Sequence, residues 1–406
     1  MLSSLDFGVE IELLIAPYKP EPTFADVLAK NGWDSNVGSQ LRPKATAGTY
    51  RDMEFRQAQN RKALREAIAA ALKEDGIETN TAITSDYEAW SVVDEPALGE
   101  LPGYWRMEFV SKILSSGKDW HTELTRLFAI LKRNCRIRLT HGCSMHVHVS
   151  PGPSTFNNSQ LRSICKAICY FDDAITRVMP ADRKENTWAR SNFMPERPVK
   201  GDTSSSNQSV NPKIKRYYSL VQTQSFSQLW KYFDKVTSNQ VHSFMANTAG
   251  NNSRYLSWNF ENITQQCGTL EFRRPPAADT AEKANHWIAF ALGFVAQAIA
   301  ADWKAVESQK RGGGVAELRA HVVRGLQGLK MLPNCFASLG PISEDSSKPL
   351  VLSPEQLLEM EELQRAKSKT SSPFASKANS RANTPNSSAN STPSVGRSDS
   401  GGWGRR

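Results

Sequence analysis

Apolar side chains recur with the 3.6-residue period of an amphipathic helix over Met53 to Glu74, Trp120 to Asn134, Gln160 to Val178, Phe226 to Val236, Ala281 to Ser308 and Val315 to Leu326. They alternate with polar ones, as in a half-buried strand, over Asp6 to Ile15, Tyr87 to Asp94, Arg106 to Leu114, Ser144 to Ser150, Tyr255 to Asn259 and Thr269 to Arg273. The two kinds are interspersed without a regular strand–helix–strand cadence. This predicts an α+β fold, antiparallel strands backed by helices, rather than a doubly wound parallel sheet. Polar, turn-rich stretches at Gln40 to Thr49 and Lys200 to Pro212 read as loops.

Four of the strands share one peculiarity. Successive side chains point to opposite faces, so Glu10 and Glu12 share a face in FGVEIELL, Arg106 and Glu108 in WRMEFVS, His146, His148 and Ser150 in SMHVHVS, and Glu271 and Arg273 in GTLEFRRPP. A solvated strand face is polar by default, so a lone E-x-E or H-x-H carries little weight. Here the polar faces hold no Lys or Thr filler and, Ser150 apart, carry carboxylate, imidazole and guanidinium groups. Carboxylates gathered on one side raise one another's pKa unless cations compensate. Hard divalent ions with oxygen ligands, Mg²⁺ or Mn²⁺, are the expected compensation, and Mg²⁺ in turn favours phosphate oxygens. Neither G-x-x-x-x-G-K-[ST] nor G-x-G-x-x-G occurs, so a nucleotide would be bound by another route.

Composition narrows the class. With 39% hydrophobic and 22% charged residues the chain can bury a large core. The net charge of +9 suggests nucleic acid until it is located: the segment from Arg365 onward holds eight basic residues against Asp399 and accounts for +7, leaving +2 for the rest. No nucleic-acid partner is therefore expected of the folded part. Residues 1–340 form the expected catalytic domain. Residues 341–406, rich in Ser, Pro, Asn and basic residues, read as a mostly disordered tail with a short helix near 353–364, where Ser353, Pro354 and Gln356 spell a capping box. The six cysteines contain no C-x-x-C pair and read as reduced, buried thiols. The amino terminus lacks a basic n-region, and the longest apolar run, Trp287 to Ala301, falls short of the ~20 residues of a membrane span. An intracellular, cytoplasmic location without membrane contact is expected.

The succession FGVEIE, RMEFVS, SMHVHVS, RYLSWNF and TLEFRRP, in that order over about residues 5–330, resembles the amidoligase enzymes. These belong to the carboxylate–amine ligase superfamily of glutamine synthetase and γ-glutamylcysteine synthetase. The resemblance implies a curved, funnel-like antiparallel sheet with ATP and Mg²⁺ (or Mn²⁺) on its concave face, and amide-bond formation through an acyl phosphate. It implies that Glu10, His146 and Glu271 hold the metal that meets the ATP phosphates and that Glu12 and Glu108 hold a second metal near the acceptor. His148 would lie beside the phosphates, Arg273 would meet the transferred phosphoryl group or the substrate carboxylate, and Arg254 would bind substrate with Asn259 behind it; Arg190 is a further candidate. WSVVDEPAL departs from the family's usual Asp followed by Ser, which leaves Asp94 without an assigned role. The substrates, a small-molecule or peptide carboxylate and an amine, are not specified, nor is the oligomeric state.

Two other readings compete. A hydrolase could bind zinc through H-x-H, but needs a third ligand from His121, His141, His242, His286 or His321, three of which fall in predicted helices. A non-catalytic scaffold could use the basic tail, with Trp403 and scattered Arg, to touch an acidic partner or single strands.

Overall fold

The computed structural model describes residues 4–18, 20–34, 42–43, 50–84, 86–99, 101–193, 225–248, 255–350, 352–359 and 362. The loop expected at 200–212, Arg254 and the tail beyond 362 lie outside them. The loop expected at 40–49 is described only at its short strand β3 (Arg42–Pro43), which pairs with β2 (Trp33–Asp34).

The centre of the molecule is β1 (Asp6–Pro17), twelve residues long and alternately apolar through Val9, Ile11, Leu13 and Ile15. Its length lets it pair with four strands. On one side lie β6 (Trp105–Val110) and, at its start, β7 (Leu114–Ser115); on the other β9 (Met145–Ser150) pairs with its first half and β8 (Cys135–Arg138) with its second. The sheet continues through β11 (Leu270–Phe272) to β10 (Trp258–Asn259), and in the other direction through β5 (Trp90–Val93) to β4 (Thr79–Asn80). The order β10-β11-β9-β1-β6-β5-β4 does not close, so the nine-stranded sheet is open. The expected all-antiparallel pairing is corrected at one edge, where the two-residue β4 runs parallel to β5.

One face of this sheet is apolar and covered by helices: α2 (Tyr50–Glu74), α3 (Trp120–Asn134), α4 (Asn158–Arg177) and the central helix Ala281–Ala300. The central helix is apolar nearly all round because it is enclosed nearly all round, with Trp258 and Phe272 of the sheet stacking towards Phe294 and Phe290. Trp258 thus faces the helices, as its alternation with Asn259 predicts. The helix ends eight residues before its expected boundary, where Ala301 turns extended and Asp302 caps a separate turn at Lys304. Helix Val315–Gly328 crosses it glycine on glycine: a Cβ on Gly325 would stand 1.8 Å from the carbonyl oxygen of Gly293.

Several elements escaped the sequence pattern because they are short. Helix α1 (Pro22–Lys30) has only Phe24 and Leu28 on its buried face, and β8 only Cys135 and Ile137 as apolar residues. Residues 341–350, assigned to the tail by composition, run along the folded body: Ile342 is buried, Asp345 N–H donates to Arg177 O, and Leu350 N–H donates to Ala181 O. The short helix at 354–359 opens with the expected box, Ser353 N–H donating to Gln356 Oε1 at 2.9 Å and Gln356 N–H to Ser353 Oγ at 3.3 Å. Five cysteines are buried; Cys267 is exposed, which corrects the expectation for that residue. No described helix is long and apolar enough to cross a membrane.

His321, wedged among Phe171, Phe294 and Trp303, is pushed down to about 4 by burial. A depressed imidazole costs nothing while neutral, but below pH 6.5 the unfolded chain takes up a proton that the folded one refuses. Stability from this group is full above pH 6.5 and declines towards pH 4, by about 3 kcal/mol. Denaturant unfolding at pH 8 and pH 4.5 should show the decline, and His321→Phe should reduce it. His286, also pushed down to about 4 by burial, accounts for a further part in the same direction.

Candidate functional site

The opposite face of the sheet gathers the polar residues, and the strand register says why. Glu10 lies directly across from His146, Glu271 across from His148, Asn259 across from Glu271, and Glu12 across from Glu108. Val93 is also opposite Glu108, so Glu95, two residues further on, returns to the same face.

Two groups result. In the first, His146 Nδ1 is 2.8 Å from Glu10 Oε2 and 3.4 Å from Glu271 Oε1. In the second, carboxylate oxygens of Glu12, Glu95 and Glu108 lie within 4.8 Å of one another. Sequence reasoning placed Glu10, His146 and Glu271 together, and Glu12 with Glu108, but gave Glu95 no role. Its signal was present in the alternation from Val93, obscured because the strand ends there. Glu95 is fully buried, and its Oε1 accepts from Ala97 N–H at 2.9 Å. The neighbouring Asp94 points elsewhere, to Arg61 at 3.2 Å and Arg106 at 3.0 Å. That assigns Asp94 to an ion-pair network and explains why Arg106 does not join the acidic group.

The donor sets suit divalent cations. Three carboxylates in a buried setting could hold a hard cation with oxygen ligands, such as Mg²⁺ or Mn²⁺, and an imidazole nitrogen with two carboxylates is compatible with the same ions. The protein also supplies part of the compensation itself. Burial alone would push the Glu10 carboxyl up, but the charge of His148 and hydrogen bonds to His146 and His148 hold it well below the usual carboxylate range. Burial likewise raises Glu271, and Arg273, His148 and His146 more than reverse it. Repulsion by Glu10 still pushes Glu271 up, but the cationic neighbours outweigh it, as the expectation for compensated carboxylates requires. His148 shows the counterpart: burial pushes it down, and the nearby Glu10 outweighs that and raises it.

His148 Nε2 faces Glu10 Oε1 at 3.3 Å, while its Nδ1 is 3.2 Å from Thr269 Oγ1. Arg273 Nη1 donates to Glu271 Oε1, whose other oxygen accepts from Asn259 Nδ2 at 2.8 Å. The Arg273 guanidinium also lies 5.9 Å from the Tyr255 ring centre, and Tyr255 packs edge-on against Trp188. Behind it Arg183 and Arg274 clasp each other's backbone: Arg183 donates to Arg273 O and Arg274 O, and Arg274 to Arg183 O and Lys184 O. Nothing is described for Arg254. Arg190 turns its Nε to Thr187 O at 3.0 Å, and its backbone bridges to Leu256 beside β10. Of the two histidines in H-x-H, only His146 enters a group of three potential ligands among the described residues, and its companions are carboxylates.

The family of the chain is identified by its sequence. Residues 3–295 match a family model described as "Putative amidoligase enzyme", which covers more than half of the chain. The protein belongs to the amidoligase family. Comparison with curated proteins and with solved structures gave no match.

Proposed function

We propose that the protein is an ATP- and Mg²⁺-dependent carboxylate–amine ligase that forms an amide bond through an acyl phosphate, on a sheet of the glutamine synthetase type. The observation that carries this reading is the pairing of two cation-ready groups, Glu10–His146–Glu271 and Glu12–Glu95–Glu108, on one sheet face. Glu10, His146 and Glu271 would hold the ion at the ATP phosphates; Glu12, Glu95 and Glu108 would hold the second, nearer the acceptor. Bound there, Mg²⁺ or Mn²⁺ supplies neutralisation of the phosphate oxygens.

The chain's own groups do the rest. A carboxylate is inert towards amines at neutral pH, so the substrate carboxylate attacks the γ-phosphate, the bond to the β-phosphate oxygen breaks, and ADP leaves. Arg273, kept charged and oriented by Glu271, stabilises the phosphoryl group in transfer, with His148 as a second donor beside it. Arg254 is assigned to the substrate carboxylate. The amine then attacks the acyl carbon and phosphate departs, with the amine proton passing to a carboxylate near the acceptor. The substrates fitting this chemistry are a small-molecule or peptide carboxylate and an amine.

Isothermal titration with ATP tests the reading. Binding should require Mg²⁺ or Mn²⁺ and disappear in chelator; equal affinity with and without divalent ions would contradict it. Zinc held tightly and stoichiometrically, with no nucleotide binding, would favour the hydrolase.

A further inference from the structure

Ser144, the residue before β9, stands between the two acidic groups and touches both. It is buried, and its backbone is tied to β1, with Glu12 N–H donating to Ser144 O at 3.0 Å. Its own N–H donates to Glu12 Oε2 at 3.0 Å, and its hydroxyl donates to the same oxygen at 2.7 Å. On the other side Ser144 Oγ is 3.0 Å from His146 Nε2.

A hydroxyl has one hydrogen and can accept through its lone pairs. The carboxylate of Glu12 can only accept, so the hydrogen goes to Glu12. Ser144 Oγ therefore accepts from His146, which places a hydrogen on Nε2. This orients the ring so that Nδ1 is the nitrogen turned to Glu10 Oε2 and Glu271 Oε1, the position of a ligand atom in the first group. In the second group the two donors of Ser144 hold Glu12 Oε2 and so fix the orientation of that carboxylate.

We propose that Ser144 is a positioning residue that couples the two cation sites: its single hydroxyl fixes His146 in one and Glu12 in the other, so its loss weakens both together. The proposal rests on the metal-site reading above. Outer-shell partners of this kind change metal affinity by about 10–100-fold.

The test is Mn²⁺ titration of the full-length protein, with free Mn²⁺ followed by electron paramagnetic resonance. Wild type should bind two ions. Ser144→Ala should weaken both by about 10–100-fold, and Ser144→Thr, which keeps the hydroxyl, should recover most of the affinity. Ser191→Ala removes another buried hydroxyl, one bonded to Asp172 rather than to either group, and should leave both affinities unchanged. Should Ser144→Ala fail to fold, Ser144→Cys, with its weak donor, is read the same way. Unchanged binding, or weakening at one site only, overturns the coupling. Absence of Mn²⁺ binding in wild type overturns the metal-site reading itself, and is seen before any variant is made.

Discussion

Glu271→Gln is expected to lower ATP turnover by about 10³-fold, because it removes a negative ligand from the first cation group and the partner that orients Arg273. The same substitution should destabilise the protein in chelator. Glu271 is buried between Arg273 and Asn259, so a glutamine can still accept from Asn259 but no longer offsets the guanidinium charge. Breaking a buried pair by removing one partner costs about 3–5 kcal/mol. ADP release and thermal unfolding without metal measure the two effects separately. A variant as stable as wild type in chelator would mean that carboxylate repulsion outweighs the Arg273 pair.

The second large effect lies far from the chemistry. Gly325→Ala places a methyl group 1.8 Å from Gly293 O, 2.7 Å from Gly293 C and 3.0 Å from Gln297 N, all backbone atoms of the central helix. Backbone cannot rotate aside, so the two helices must separate. The expected loss is about 3 kcal/mol or more, at the upper end of overpacking costs. Gly328→Ala, three residues on in the same helix, meets nothing within 4 Å and should be neutral or stabilising by up to about 1 kcal/mol. Denaturant midpoints of the two variants make the comparison. Similar midpoints would show that the helix crossing adapts.

Alternation carried most of the site. Glu10, Glu12, Glu108, His146 and Glu271 sit inside strands, where period two assigns a face without knowledge of pairing, and the register then brings them together. Glu95 was not assigned because it lies past the end of β5, where only the continued extension of the chain shows its face. Asp94 was undecidable for a related reason: its partners Arg61 and Arg106 come from 33 residues upstream and 12 downstream, a contact that packing creates and local pattern does not encode. Ser144 heads the expected strand Ser144 to Ser150 and by period two shares the face of His146 and His148, but a serine on a polar face gives no sign of which side chains it touches. The helices with a long apolar stripe were legible to within a few residues at most ends. Those with two buried residues, such as α1, were not, because two positions do not define a period. At 341–350, the start of the stretch read as a mostly disordered tail, a polar composition conceals the buried Ile342 and the anchors at Arg177 and Ala181.

The most direct test of the central claim is product analysis. Purified protein is offered Mg²⁺ and ATP with arrays of carboxylates and amines, and ADP, phosphate and new amides are measured together. ADP and phosphate should be released in equal amounts with an amide, only when a divalent ion, a carboxylate and an amine are all present. Amide cleavage without ATP, or ATP turnover indifferent to every carboxylate and amine, would contradict it.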